Sequence, residues 1–131
     1  MAVVEDFVKF YNAQEWDKLE GCFDATDFQR TGPFSDVVTG RTEYVAFLRR
    51  CVATMSPNYE LQVERIVYAP DEKVAVGQFI EHAAHDDMPD GPEVIVYDLN
   101  DEGLIRRMCL YMQRPDDIPP GAEDAMGVRP G

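Results

Sequence analysis

No stretch of this sequence stays apolar for the ~18 residues that a membrane-spanning helix needs. Its start, MAVVEDFVKF, has neither the basic region nor the small-residue cleavage site of a secretory signal. Insertion and export are therefore not expected, and the expected location is the cytoplasm. Cysteine is scarce: Cys22, Cys51 and Cys109 are odd in number, and each falls within an apolar periodic segment. That suits reduced core thiols rather than the paired framework of a small secreted domain. Basic side chains are few as well, 12 against 25 acidic ones, for a formal charge of −13. Such a surface repels phosphate backbones and anionic headgroups, so neither nucleic acid nor membrane is an expected partner, whereas a neutral, apolar ligand is compatible with it. The motifs of cofactor chemistry are missing too. There is no P-loop, dinucleotide fingerprint, Cys-x-x-Cys pair or G-x-S-x-G elbow, and no cofactor is expected. The two histidines, His82 and His85, would leave a strand on opposite faces, so no metal site is expected.

What is present suits one domain, and a 131-residue chain should bury roughly two-thirds of its unfolded surface. Val3, Val4, Phe7, Val8, Phe10 and Tyr11 recur at three- and four-residue spacings and predict an amphipathic helix. After Asn12-Ala13-Gln14, the positions Trp16, Leu19 and Phe23 predict a short second helix, weakened by Gly21. Loop chemistry from Thr31 to Asp36 and at Thr39-Gly40-Arg41 flanks the β-branched run Val37-Val38. A third helix is predicted from near Thr42, with Tyr44, Val45, Leu48, Cys51, Val52 and Met55 as its apolar stripe and Ser56-Pro57 as its end.

From Tyr59 the period drops to two, with Tyr59, Leu61 and Val63 alternating against Glu60, Gln62 and Glu64. Further strands are predicted over Lys73 to His82, Glu93 to Leu99 and Leu104 to Gln113, the last two joined by the turn Asn100-Asp101-Glu102-Gly103. If Leu99 faces Leu104 across that turn, Tyr97 faces Arg106 and Ile95 faces Met108. Helices first and strands afterwards predict an α+β domain over residues 1–114. Residues 115–131, with four prolines and three glycines, read as a mobile tail.

The run Phe7-Val8-Lys9-Phe10-Tyr11-Asn12-Ala13-Gln14-Glu15-Trp16 resembles the helix, polar turn and second helix that open the nuclear transport factor 2-like superfamily. Thr39-Gly40-Arg41 ahead of a helix, the long strand pair, and Tyr97-Asp98-Leu99-Asn100-Asp101-Glu102-Gly103-Leu104-Ile105 resemble its SnoaL-like polyketide-cyclase branch. The resemblance implies three helices packed on a strongly curved antiparallel sheet, a cone with an internal pocket, and often a homodimer. That fold serves ketosteroid isomerase, scytalone dehydratase, limonene epoxide hydrolase, polyketide cyclases and non-catalytic binding proteins. In ketosteroid isomerase a carboxylate base works beside an oxyanion hole made by a Tyr and a protonated Asp. The corresponding positions here hold Thr31-Gly32, Phe7 and Ile95. Steroid isomerisation at a comparable rate is therefore not expected, since one lost oxyanion donor alone costs ~10² to 10³ in rate.

Along the strand ending at His82, the residues Val74, Val76, Gln78, Ile80 and His82 share one face, and its larger aliphatics make it the expected concave one. Gln78 and His82 would then point into the pocket with Tyr97, Met108, Leu110 and Met112 from neighbouring strands and Tyr11 and Tyr44 from the helices. Histidine is the side chain of that set that titrates near neutrality, which makes His82 the expected general acid or base. Tyr11, Tyr44, Gln78, Tyr97, Met108 and Met112 are the expected substrate-binding residues. The bland readings are a His82 that ends its strand in solvent and tyrosines that serve the core. Arg106 reads as snorkelling near the hairpin, Asp98 as a convex-face partner of Arg107, and Asp86-Asp87 and Asp116-Asp117 as solvated loop charge. Val94, Val96, Ile105 and Cys109 form an outward apolar patch that predicts a homodimer through the convex face. The function implied is cofactor-free cyclisation, isomerisation or dehydration of a hydrophobic oxygenated small molecule. Its rivals are a ligand-binding protein without chemistry and a protein-interaction module using the convex sheet face.

Overall fold

In the computed structural model, which describes residues 3–85 and 89–113, the chain runs α1 (Val3–Asn12), α2 (Trp16–Glu20), β1 (Gln29–Thr31), β2 (Val37–Thr39), α3 (Arg41–Val52), β3 (Glu60–Tyr68), β4 (Val74–His82), β5 (Gly91–Leu99) and β6 (Ile105–Met112). The three helices and four long strands lie where the two periodicities put them. The tail from 115 onward, the boundary at 114 and the Asp86-Asp87 loop charge lie outside the described residues. Among the described residues no helix is long and apolar enough to cross a membrane. The three thiols are free, and Cys22 is buried.

The strands make one curved, unclosed sheet in the order β2-β1-β6-β5-β4-β3. It is not wholly antiparallel, because β1 joins β6 in parallel, Arg30 opposite Met108. Strand β1 is too short and too polar to show an alternation, and Arg30 is its one buried residue. Its place comes from a tertiary pairing that no local pattern announces.

The β5–β6 register departs from the simple hairpin expectation. Tyr97 faces Met108, Ile95 faces Leu110 and Leu99 faces Ile105, with an irregularity between Asp98 and Leu99 that leaves Arg106 as the extra residue. A bulge of this kind shifts the inward set by one position. Ile105 and Met108 are thereby both inward, at 0% and 2% exposure, so Ile105 leaves the convex patch. Asp98 does lie opposite Arg107, whose Nη1 donates to the Asp27 carbonyl and Nη2 to the Asp27 carboxylate. Arg106 is exposed and lies 3.7 Å from Asp27.

The parity expected for β4 is reversed. Ala75, Gly77 and Phe79 are buried, whereas Val74, Val76 and Gln78 are exposed on the other face. Packing explains the inversion: the small residues Ala75 and Gly77 leave space on the concave side for the large ring of Phe79. A Cβ on Gly77 would run into the ring of Phe79, which lies across it. The larger aliphatics therefore occupy the convex side, where space is open.

Aromatic contacts join the layers. Phe7 of α1 meets Phe23 at 6.0 Å and Tyr97 of β5 at 5.9 Å edge to face, and Phe23 meets Tyr44 of α3 at 5.4 Å. Each such pair adds ~0.5–1.5 kcal/mol beyond its area burial. The end of α1 is pinned to edge strand β3 by Asn12, whose side chain donates to the Leu61 carbonyl and accepts from the Leu61 amide, both at 2.9 Å. Gly77→Ala should cost ~1–3 kcal/mol, the usual penalty of overpacking a core, because the Phe79 ring it displaces is fully buried. Urea unfolding of the two proteins checks this, and equal midpoints would show that the ring moves freely.

Candidate functional site

Once Phe79 is inward, the alternation of β4 also turns Glu81 inward, and the inward run Tyr97, Ile95 of β5 ends on Glu93. These two carboxyls are diagonal neighbours, since Phe79 pairs with Glu93 and Glu81 with Gly91. Both line a recess of about 170 Å³ between α1, α3 and the sheet. Its remaining wall is largely apolar and aromatic, with Tyr11, Tyr44, Phe47, Tyr59, Ile95 and Met112 among the contributors.

Glu93 is 3% exposed. Burial, then the negative charge of Glu81, then a hydrogen bond to Glu81 that only a protonated carboxyl can donate push its pKa up to about 9, against the opposing pull of Arg30. Both the burial and the neighbouring carboxylate favour the protonated form of Glu93. Its Oε2 has no hydrogen-bond partner among the described residues. Glu81 is held from the other side by Tyr59, whose hydroxyl donates to Oε1 at 3.3 Å. The Tyr59 hydroxyl has one proton, so in the 3.0 Å contact between Tyr11 and Tyr59 the donor is Tyr11. Burial pushes both phenols upward in pKa, with the neighbouring acids adding to it, so they stay neutral donors.

A second polar group comes from the β1–β2 hairpin. Arg30 Nη1 donates to Asp36 Oδ2 at 2.7 Å, and the guanidinium lies over the rings of Phe47 at 4.8 Å and Tyr44 at 5.8 Å. Burial acts to raise the Asp36 pKa, but the Arg30 hydrogen bond and charge hold it below the ordinary range. Asp36 thus lines the recess despite standing beyond Pro33 and Phe34, because the hairpin folds it back over Gly32.

Of the residues singled out from sequence, Tyr11, Tyr44 and Met112 line the recess. Tyr97 and Met108 face inward but lie in the core beside it, at 0% and 2% exposure. Gln78 is exposed and on the opposite parity. His82 follows it on that face and binds Asp90, Nδ1 to Oδ2 at 2.7 Å, with 45% of its side chain exposed. The expectation that His82 and Gln78 point into the pocket fails on parity, for the packing reason given above. Glu81, Glu93, Tyr59 and Arg30 carry no candidate role in the sequence reading. One signal was available: an inward Tyr97 brings Glu93 inward with it, four residues earlier on the same strand.

The model of the SnoaL-like domain matches residues 4–108. Solved structures sharing the fold include a provisionally named ketosteroid isomerase from Kribbella flavida, at 20% identity over 99% of this chain and 89% of that one, TM-score 0.74. A SnoaL-like protein of unknown function from Burkholderia thailandensis has 9% identity over 85% and 92%, TM-score 0.70. A protein with a ketosteroid isomerase-like fold from Catenulispora acidiphila, solved with trimethylamine, has 14% identity over 97% and 93%, TM-score 0.71. At such identities the likeness establishes the fold. No curated protein sequence matches the chain.

The protonated Glu93 has a measurable consequence. Between the ordinary glutamate value of 4.5 and about 9, the folded state keeps a proton that the unfolded chain has released. The stability linked to this group is therefore fully present below that window and lost as pH rises through it. Glu93→Gln removes the titration, so the variant should gain stability relative to the parent as pH rises from 5 to 9. Urea midpoints across that range read the effect, and parallel curves would mean that Glu93 ionises normally.

Proposed function

We propose, from the premise that this chain belongs to the SnoaL-like domain family, that its recess takes a hydrophobic oxygenated small molecule and moves a proton on it without a cofactor. One observation carries this reading: a buried carboxylic acid, Glu93, beside a second carboxyl, Glu81, in an aromatic recess. A buried acid held protonated beside a second carboxyl can act as the proton donor while its neighbour acts as the acceptor. Glu81 takes a proton from the carbon next to a substrate carbonyl, and as Glu81 becomes protonated the Glu93 O–H turns from it to the oxygen, where negative charge develops. Return of the same proton to another carbon completes an isomerisation, with no oxidant or co-reactant required. Tyr59 steadies Glu81, and Tyr11, Tyr44 and Met112 shape the space around the substrate.

The same proposal includes a homodimer through the convex face, where Val67, Val74, Val76 and Tyr111 are exposed by 37–58% beside the half-buried Val94, Val96 and Cys109. An apolar sheet face of this kind favours a self-complementary contact. Small-angle scattering at micromolar concentration should return twice the chain mass, and Val67→Asp should halve it. A monomer in the parent protein would remove the dimer and leave the site reading intact.

The chemical reading is tested by deuterium exchange. Steroid ketones, aromatic polyketides and terpenoid ketones incubated with the protein in heavy water should include compounds whose protons beside the carbonyl exchange, seen by NMR. Glu81→Gln should slow that exchange by ~10² to 10⁴, the usual worth of a general base. Ligands that bind without exchange would reduce the protein to a binding module.

A further inference from the structure

Arg30 is 7% exposed through its side chain, and a buried guanidinium is costly to keep unless its donors are met. It has five N–H groups. Asp36 takes one of them, on Nη1, while Nε is buried with no hydrogen-bond partner among the described residues. The group is fixed where it is, stacked on Phe47 and held over Gly32, where any Cβ would overlap both Arg30 Nη1 and the Asp36 carboxylate. It also shares the recess with Glu93, whose Oε2 is likewise buried and unpartnered.

We infer that Arg30 is the anchor for an anionic oxygen on the ligand, a carboxylate or a stabilised enolate carried on a hydrophobic frame. The inference rests on reading the recess as the ligand site and names the class of ligand that it prefers. The guanidinium and the Glu93 carboxyl line the same small space, and an anionic oxygen accepts a guanidinium N–H more strongly than an amide or ketone oxygen does. The −13 charge of the whole chain opposes an anion at long range, but salt screens it beyond ~8 Å. Within the recess the guanidinium decides.

If Arg30 served only to pin the hairpin, the recess would not distinguish an acid from an amide of equal shape. Cinnamate and cinnamamide make that comparison, by titration calorimetry on the full chain at neutral pH. Cinnamate should bind at least about tenfold more tightly than cinnamamide, as a charge-assisted hydrogen bond warrants. Arg30→Met should bring the ratio to about one and leave cinnamamide within about threefold of its parent value. Asp36→Asn, at a half-exposed position, removes the competing carboxylate and should tighten cinnamate. Equal affinities in the parent protein, or a preference that survives Arg30→Met, overturn the anchor and leave the ligand site standing. If Arg30→Met does not fold, as its thermal melt would show, the Asp36→Asn arm decides, and unchanged or weaker cinnamate binding overturns the anchor. Failure of both probes to bind overturns the ligand-site reading and the anchor with it.

Discussion

The period of two along β4 is the constraint on which the recess depends. With Phe79 inward across the bare backbone of Gly77, Ala75 and Glu81 must be inward as well. A slip of one residue would bury Val74, Val76 and His82 instead and expel Glu81 to solvent. Packing makes that alternative unfavourable, since it would turn the fully buried Phe79 ring, which lies over Gly77, out to solvent. The choice of a small residue at two positions, Ala75 and Gly77, therefore decides where a carboxyl appears ~13 to 20 Å further along the strand, at ~3.3 Å per residue.

That carboxyl matters through its neighbour. A lone acid buried in an apolar wall would simply be neutral, and a lone half-exposed acid would simply be ionised. Glu81 and Glu93 sit diagonally on adjacent strands, so burial and the charge of Glu81 together raise the pKa of Glu93. Burying Glu93 sacrifices stability over the pH range in which the unfolded chain ionises, a cost of the kind that active sites retain and cores discard. The Tyr11–Tyr59–Glu81 relay runs in one direction only, because each phenol has a single proton. Helix α1 and the segment before β3 thus fix the acid pair from outside the sheet.

The hairpin of β1 and β2 closes the other side. It is tied to the sheet by three residues that pair in parallel with β6, and its reach over the recess depends on Gly32 having no side chain. Arg30 and Asp36 are six residues apart and meet only because the turn between them folds back. The recess then combines two carboxyls and a partly compensated guanidinium, with aromatic rings filling the space between them.

Amphipathic spacing in Val3–Asn12 and Arg41–Val52 and alternation in the four long strands determined the helices, the strands and their order, because burial against one core imprints those periods on neighbouring residues. The SnoaL-like resemblance followed from the same patterns. The residues of the recess were less legible. Tyr11, Tyr44 and Met112 emerged from sequence, whereas His82 and Gln78 were assigned to the wrong side of β4. Alternation says that Phe79 and Ile80 part company but not which of them meets the helices, and the count of aliphatics misleads where one large ring lies over small neighbours. The Arg106 bulge, the parallel seat of β1 and the meeting of Arg30 with Asp36 were decided by tertiary structure alone. Each joins segments distant along the chain or breaks a local period, and neither leaves a trace in the spacing of residues.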